Sequence, residues 1–432
     1  MSDNSELSIQ KNLINKTFLY KVTRGAVLFV ALVAAYLLLG LLAWCVPDAP
    51  VHRHVEQTIN SCDLQDDYTK AIVRDKCFEL DPYTMDNFTD ALIINQVVNL
   101  RSEGLKGILL LPRHDEGVVQ CHNLRQLMAG SEQGVTTHYA RYWHGTTFVA
   151  RLLLALTSYS NIRFFLYFLS SSLLLWCLLR LWKRVGKVAA VVLAFSLLSV
   201  NLFVMQFSLQ FVPVLIITLG GILWLTYHPS SDGELLFLVL GSLTVFFDLI
   251  TVPTVALGLP LVIWVAMHPD HRPWCGLCTL LKLGLWWVAG YLLTWMAKWG
   301  ITTLFTGENV FADAYGQSRW WTDGGSSYIM QALSSNLALL HYKYVVLALF
   351  ALLAMAVISP RGRGWKQAVQ YLPLALIPFV YYVVMAHPAF NHAWFNYRAL
   401  LTAVAALLMA AAAMVDWPNL LSKSQELRNK KH

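Results

Sequence analysis

Long, almost uninterrupted apolar blocks recur along the whole chain, and they constrain its fold more than any other feature. A helix needs about twenty apolar residues to cross the ~30 Å hydrocarbon core of a bilayer. The first block, Ala26–Val46, supplies them. It is too long for the core of a cleaved signal peptide and predicts a retained span. Of the 432 residues, 57% are hydrophobic and 13% charged, roughly half the charge of a soluble globular domain. The expected fold class is therefore an all-α polytopic membrane protein, with residues 1–432 forming a single membrane domain. The net charge of +7 points to orientation in the bilayer rather than to a nucleic-acid partner, because the basic residues cluster beside the spans.

Those basic residues predict a topology. Lys11, Lys16, Lys21 and Arg24 precede the first span, which places the N-terminus in the cytoplasm. The polar stretch that follows lies outside and holds Cys62, Cys77 and Cys121. They form either one disulfide, for which Cys62–Cys77 is the shortest closure, or free thiols. Tyr142–Ser158 poses a choice. As a full span it would put Arg180, Lys183, Arg184 and Lys187 outside and Arg151 at membrane depth, against the positive-inside rule and at a cost of several kcal/mol. It reads instead as an amphipathic helix in the outer interface, anchored by Tyr142 and Trp143.

The first extracytoplasmic loop is then 47–163, with interfacial helices. Nine further spans follow: Phe164–Trp182, Val188–Met205, Phe207–Tyr227, Leu235–Thr251, Pro253–Met267, Leu280–Leu304, Tyr344–Ile358, Val369–Ala386 and Arg398–Val415. This count gives about ten transmembrane helices, a second outer loop at 305–343, a cytoplasmic tail at 416–432 and both termini inside. A bacterial inner (plasma) membrane is the expected location.

Three outer segments are unusually rich in polar and aromatic residues. The first, DPYTMDNFTDALIINQVVN from Asp81, offers Thr84 or Asp86 as a helix cap, with Asp86 and Asp90 four residues apart on one side. These carboxylates are either a cap with a solvated face, or a general base or metal ligand above the membrane. The second, HYARYWHGTTFVARLLLALTSYSNIR from His138, carries Arg141, His144, Arg151 and Arg163. Arginine suits bidentate phosphate recognition, although anionic bilayer lipids explain Arg163 equally well. The third, HPAFNHAWFNYR, puts His387, His392 and Arg398 in a short connection at the mouth of the bundle. Asp248 at the end of its span is a candidate because intramembrane carboxylates are costly. Arg319, Trp320 and Trp321 mark 306–343 as a mobile lid or a plain connector. The spacing of His268, His271, Cys275 and Cys278 is compatible with zinc, but falls at a cytoplasmic turn broken by Pro269 and Pro273.

Taken together, the chain resembles the C-type (GT-C) polytopic membrane glycosyltransferases. The likeness lies in the many spans and in a long first outer loop with acidic residues and interfacial helices. Asp86 and Asp90 stand where the family has its acidic signature, without a tidy DxD pair. The segments RYWHG, FDLITVPT and NHAWFNYR resemble those of uncharacterised bacterial proteins of this type. The resemblance implies a lipid-linked sugar donor, with Asp90, or second Asp86, deprotonating an acceptor hydroxyl. Arg398, His392 or Arg141 would stabilise the departing phosphate, and only some members of the family need a divalent cation. The rival function is a transporter or flippase, which usually shows internal repeats around a midplane site; no such repeat is evident here.

Overall fold

A computed structural model of the chain describes residues 2–61, 63–70, 83–230, 233–269, 272–322 and 325–422, the side chains of 2–18, 70 and 326 excepted. Cys62, Cys77, His271 and residues 323–324 lie outside this set, so the disulfide and the full zinc-like spacing do too.

The chain opens with α1 (Ser2–Cys45) and then a compact mixed helix–strand unit. That unit comprises α2 (Asp48–Asn60), β1 (Tyr68–Lys70), β2 (Thr84–Asp86), α3 (Asn87–Asn99), α4 (Gly107–Leu110), β3 (Pro112–Asp115), α5 (Gln120–Met128), β4 (Val135–His138) and α6 (Gly145–Leu154). Two antiparallel pairs punctuate it, with Tyr68 opposite Asp86 and Pro112 opposite His138. α3 forms its centre. Every residue from Asp90 to Val98 is buried, so the partial apolar face expected from the sequence is an all-round core. The polar members survive burial by pairing. Asn95 makes two hydrogen bonds to the backbone of His114, at 2.8 and 2.9 Å, and Gln96 accepts one from Thr147 at 2.9 Å.

The bundle follows: α7 (Tyr159–Arg184), α8 (Lys187–Ser199), α9 (Leu202–Gln206), α10 (Val212–Tyr227), α11 (Glu234–Phe247), α12 (Val255–Met267) and α13 (Pro273–Thr306). Next come α14 (Val310–Thr322), α15 (Gly325–Leu339), α16 (Tyr342–Ile358), α17 (Gly364–Val384), α18 (Ala386–Asn391), α19 (Ala393–Asn396) and α20 (Leu401–Ala413). Among the described residues, five helical segments are long and apolar enough to cross a membrane: Leu19–Cys45, Tyr159–Arg184, Pro273–Thr306, Gly364–Val384 and Ala393–Ala413. The pair Ser327–Leu339 and Tyr342–Ile358, bent by 77°, makes a sixth if counted as one span. By length and composition these helices fit an all-α, multi-pass membrane protein.

The long helices and the short ones occupy different places. α1, α7 and α13 expose large apolar side chains, among them Val27, Phe168 and Leu281, a surface suited to contact with lipid. α8, α10, α11 and α12 have 13, 16, 14 and 13 residues, or roughly 20–24 Å at 1.5 Å per residue. They pack with α20 in the largest buried cluster. α11 and α13 approach backbone to backbone through reciprocal glycines, an arrangement favoured where small residues let helices close up. A Cβ on Gly241 would stand 2.0 Å from the Trp287 carbonyl oxygen, and one on Gly290 2.1 Å from that of Leu238.

Two sequence expectations change. The expected span Val188–Met205 is interrupted: α8 stops at Ser199, and Asn201 adopts a left-handed conformation with φ 54°. The expected interfacial helix over Tyr142–Ser158 is the shorter α6, docked onto protein. Tyr142 and Trp143 are buried, and the Trp143 indole donates to the Thr294 carbonyl at 2.8 Å. Arg151 is fully buried and donates to the carbonyls of Ala43 (2.9 Å), Val97 (2.5 Å) and Val46 (2.7 Å) and to Asp48 (2.5 Å). An amphipathic period records one apolar face but not whether lipid or protein covers it.

Candidate functional site

The helix ends and connections at one end of the bundle meet the mixed helix–strand unit around a cavity of about 230 Å³. The unit contributes Tyr68, Asp86, Phe88, Thr89, Tyr139 and Arg141; the connections contribute Gln210, Ile250, Thr251 and His392; α19 contributes Trp394 and Asn396, and α14 Gln317, Trp320 and Trp321. The wall thus joins one carboxylate, one guanidinium, three amides and many rings, the makeup of a small-molecule site.

Asp86 arrives there because it caps α3. Its Oδ1 accepts from the Thr89 amide at 2.9 Å and its Oδ2 from the Thr89 hydroxyl at 2.6 Å. Each carboxylate oxygen has two lone pairs, so an acceptor site remains. Burial pushes this carboxyl up to about 7, against the Thr89 hydrogen bonds and with help from the charges of Asp90 and Asp67. Such a value lets a carboxylate exchange protons near neutrality.

Asp90 sits elsewhere. It is 1% exposed and is not part of the cavity wall. It receives the Tyr159 hydroxyl at 2.5 Å and both the Ser208 hydroxyl and the Leu209 amide at 3.2 Å. Burial raises its pKa as well, opposed chiefly by the charge of Arg163. Arg163 donates to the Phe207 carbonyl at 2.8 Å, so this pair fastens α3 and α7 to the connection before α10.

Of the basic candidates, Arg141 lines the cavity. Its guanidinium contacts both oxygens of Asp313 at 3.1 Å and lies over Tyr139, 4.6 Å from the ring centre. His144 lies behind it, against Tyr139 and Tyr142. Burial, then the charges of Lys298 and Arg141, hold its pKa well below the usual range. His392 lines the cavity stacked on Phe395, and burial lowers its pKa too. Arg398 is wholly buried, with its guanidinium over Phe211 and Tyr397. Asp248 lies just beneath the floor, where Thr251 donates to it through its amide, at 3.0 and 3.1 Å, and through its hydroxyl. His387 packs against Trp320 and Tyr328 outside the lining. Arg319 is exposed and does not line the cavity.

The segment expected as a lid or connector is helical: α14 brings Trp320 and Trp321 over the cavity. Among the described residues, no three His, Cys, Asp or Glu side chains group closely enough to hold a metal ion. Cys121 is a buried free thiol, and Cys275 and Cys278 are exposed free thiols.

Sequence reading missed Gln210, Tyr68, Tyr139 and Ile250. Gln210 had a signal, since it lies with Ser208 inside an apolar run, and polar residues within such runs mark sites. Ile250 had none. Its φ of 62° is rare for a β-branched residue and shows only in the folded backbone. The Tyr381 hydroxyl lies 3.1 Å from the Ile250 carbonyl and 2.9 Å from Asn396 Oδ1, tying floor to wall.

No family model, curated protein or solved structure matches this chain.

Proposed function

We propose that this chain is a GT-C-like membrane glycosyltransferase. It moves a sugar from a polyprenyl-phosphate-linked donor to an extracytoplasmic acceptor at a bacterial inner membrane. The observation that carries this reading is the meeting of Asp86, Arg141, three amides and an aromatic wall in one cavity at the end of an apolar bundle.

In the ten-span topology that goes with it, the four short helices are spans that stop below the outer surface. The connections 200–211 and 248–254 complete the crossing inside protein, the one setting where irregular backbone is tolerated at membrane depth. The cavity is thereby recessed, and a donor held by its lipid in the outer leaflet presents phosphate and sugar at that level.

Asp86 is the base of choice, because it lines the cavity while Asp90 is enclosed by its own donors. Asp86 takes the proton of the acceptor hydroxyl as that oxygen bonds to the anomeric carbon. The bond from that carbon to the phosphate oxygen breaks, and the polyprenyl phosphate leaves with the electron pair. Arg141 stabilises the leaving charge, as a fixed cation in a poorly hydrated site does, with Arg398 acting from behind the wall. Trp320, Trp321 and Trp394 hold the sugar and keep water out. Asp90 and Arg163 position the connection that carries Gln210.

A transporter of a lipid-linked substrate is the rival reading, and turnover separates the two. The purified protein is given labelled polyprenyl-phosphate sugars, wild type beside Asp86→Asn and Asp90→Asn. Transfer abolished in Asp86→Asn, with donor binding retained, supports the transferase. Full activity in Asp86→Asn removes the base assignment, and binding without turnover across a broad panel of donors and acceptors favours transport.

A further inference from the structure

At the end of the bundle remote from the cavity, α1 and α13 stand apart along an apolar groove of about 610 Å³. Val22, Phe29 and Val30 line one side, Leu281, Leu285 and Leu293 the other, and Leu238 of α11 the floor. The α13 wall runs from Cys278 to Leu293, roughly 22 Å of helix at 1.5 Å per residue. That exceeds the ~15 Å of hydrocarbon in one leaflet. The groove narrows where α1 crosses Trp286, and a Cβ on Gly25 would stand 2.6 Å from that ring.

One charged side chain, Lys282, belongs to this wall. Its ammonium pairs with Glu234, which also receives Lys21 at 3.0 Å. The Glu234 side chain is 3% exposed, against 53% for Lys282 and 26% for Lys21. The carboxylate therefore lies beneath two ammonium groups that face outward. Lys282 is the more open of the two at 53%, and Arg24 is exposed one turn along α1. A groove that is apolar along its length and cationic at its end complements one kind of molecule: an acyl chain attached to an anionic headgroup.

We propose that this groove binds an anionic phospholipid of the leaflet remote from the cavity. The acyl chain lies along α13 and the headgroup on Lys282 and Lys21, bracing α1 against the bundle. The site is independent of the reaction at the cavity.

The test uses the full chain in detergent, titrated with phosphatidylglycerol or phosphatidylcholine. Bound lipid is counted by native mass spectrometry and the thermal midpoint is followed in parallel. We expect phosphatidylglycerol to bind tighter than phosphatidylcholine, with each lysine worth about 5-fold. Lys282→Gln should lose about 5-fold of that preference, while Lys21 still pairs Glu234 and keeps the fold. Leu285→Trp fills the groove and should weaken both lipids while leaving the lysines in place. Equal binding of the two lipids by wild type, or an undiminished preference in Lys282→Gln, overturns the proposal. So does unchanged lipid binding in Leu285→Trp, or an equal thermal shift from inorganic phosphate, which would assign the lysines to a soluble anion.

Discussion

Asp86 and Asp90 are one helical turn apart in sequence and in different chemical positions in space. Asp86 faces the cavity, and burial raises its carboxyl to about 7. If it is the base, kcat/KM for sugar transfer rises with pH through about 7 and then levels off. Asp86→Asn should lower turnover by about 10²-fold or more, yet keep the helix cap, because asparagine caps as well as aspartate. A flat profile below pH 7 in wild type would count against Asp86. His138 offers a second titration, outside the cavity. Its Nε2 contacts Glu103 at 2.6 Å and its Nδ1 contacts Glu308, so it joins the mixed helix–strand unit to the segment leading into α14. Burial works against its charge, but the two glutamates outweigh it and raise its pKa above the ordinary 6.5. A raised pKa gives stability that is complete below the unfolded value and lost as pH rises through the folded one. Hydrogen exchange in residues 310–322, corrected for intrinsic rate, should therefore quicken from pH 6 to 8. In His138→Gln that pH dependence should vanish; if it persists, the contact does not hold α14.

Helices here are joined by a few contacts whose loss has a stated cost. Arg151 of α6 satisfies the C-terminal carbonyls Ala43 and Val46 of the first span and Val97 of α3. Arg151→Met strands those buried acceptors, each at about 1–3 kcal/mol. The variant should lose thermal stability by several kcal/mol in detergent, and a change within the scatter of a surface substitution would show that water replaces the guanidinium. The α11–α13 contact is a packing device. Gly290→Leu drives a side chain into the Leu238 carbonyl and should reduce the folded, monodisperse fraction in size-exclusion chromatography. Gly284→Leu, with open space around its Cβ, should not. This level was partly legible. Apolar runs located α7, α13, α16 and α17, which begin two to seven residues before the expected starts, but they ran straight through the break at Asn201 and did not show the docking of α6. Both depend on what lies next to the helix rather than within it.

At the scale of the molecule, the ten-span topology makes one clear prediction. In a variant freed of native cysteines, Val118→Cys should react with a membrane-impermeant maleimide in intact cells, and Leu421→Cys only after permeabilisation. Both positions are exposed, so the opposite pattern would invert the topology and move the cavity to the cytoplasmic side. What the sequence determined by itself was the set of apolar helices and the candidate residues at their ends. Transfer of a side chain from water to lipid is local and nearly additive along the chain, so hydropathy can be read residue by residue. Tertiary structure alone decided that Asp86 and Asn396 share a cavity, that Asp90 is sealed behind it, and that Arg319 and His387 are left off its wall. Those outcomes rest on contacts between segments far apart in the chain, where burial and hydrogen bonding, rather than composition, fix each group's partner and charge.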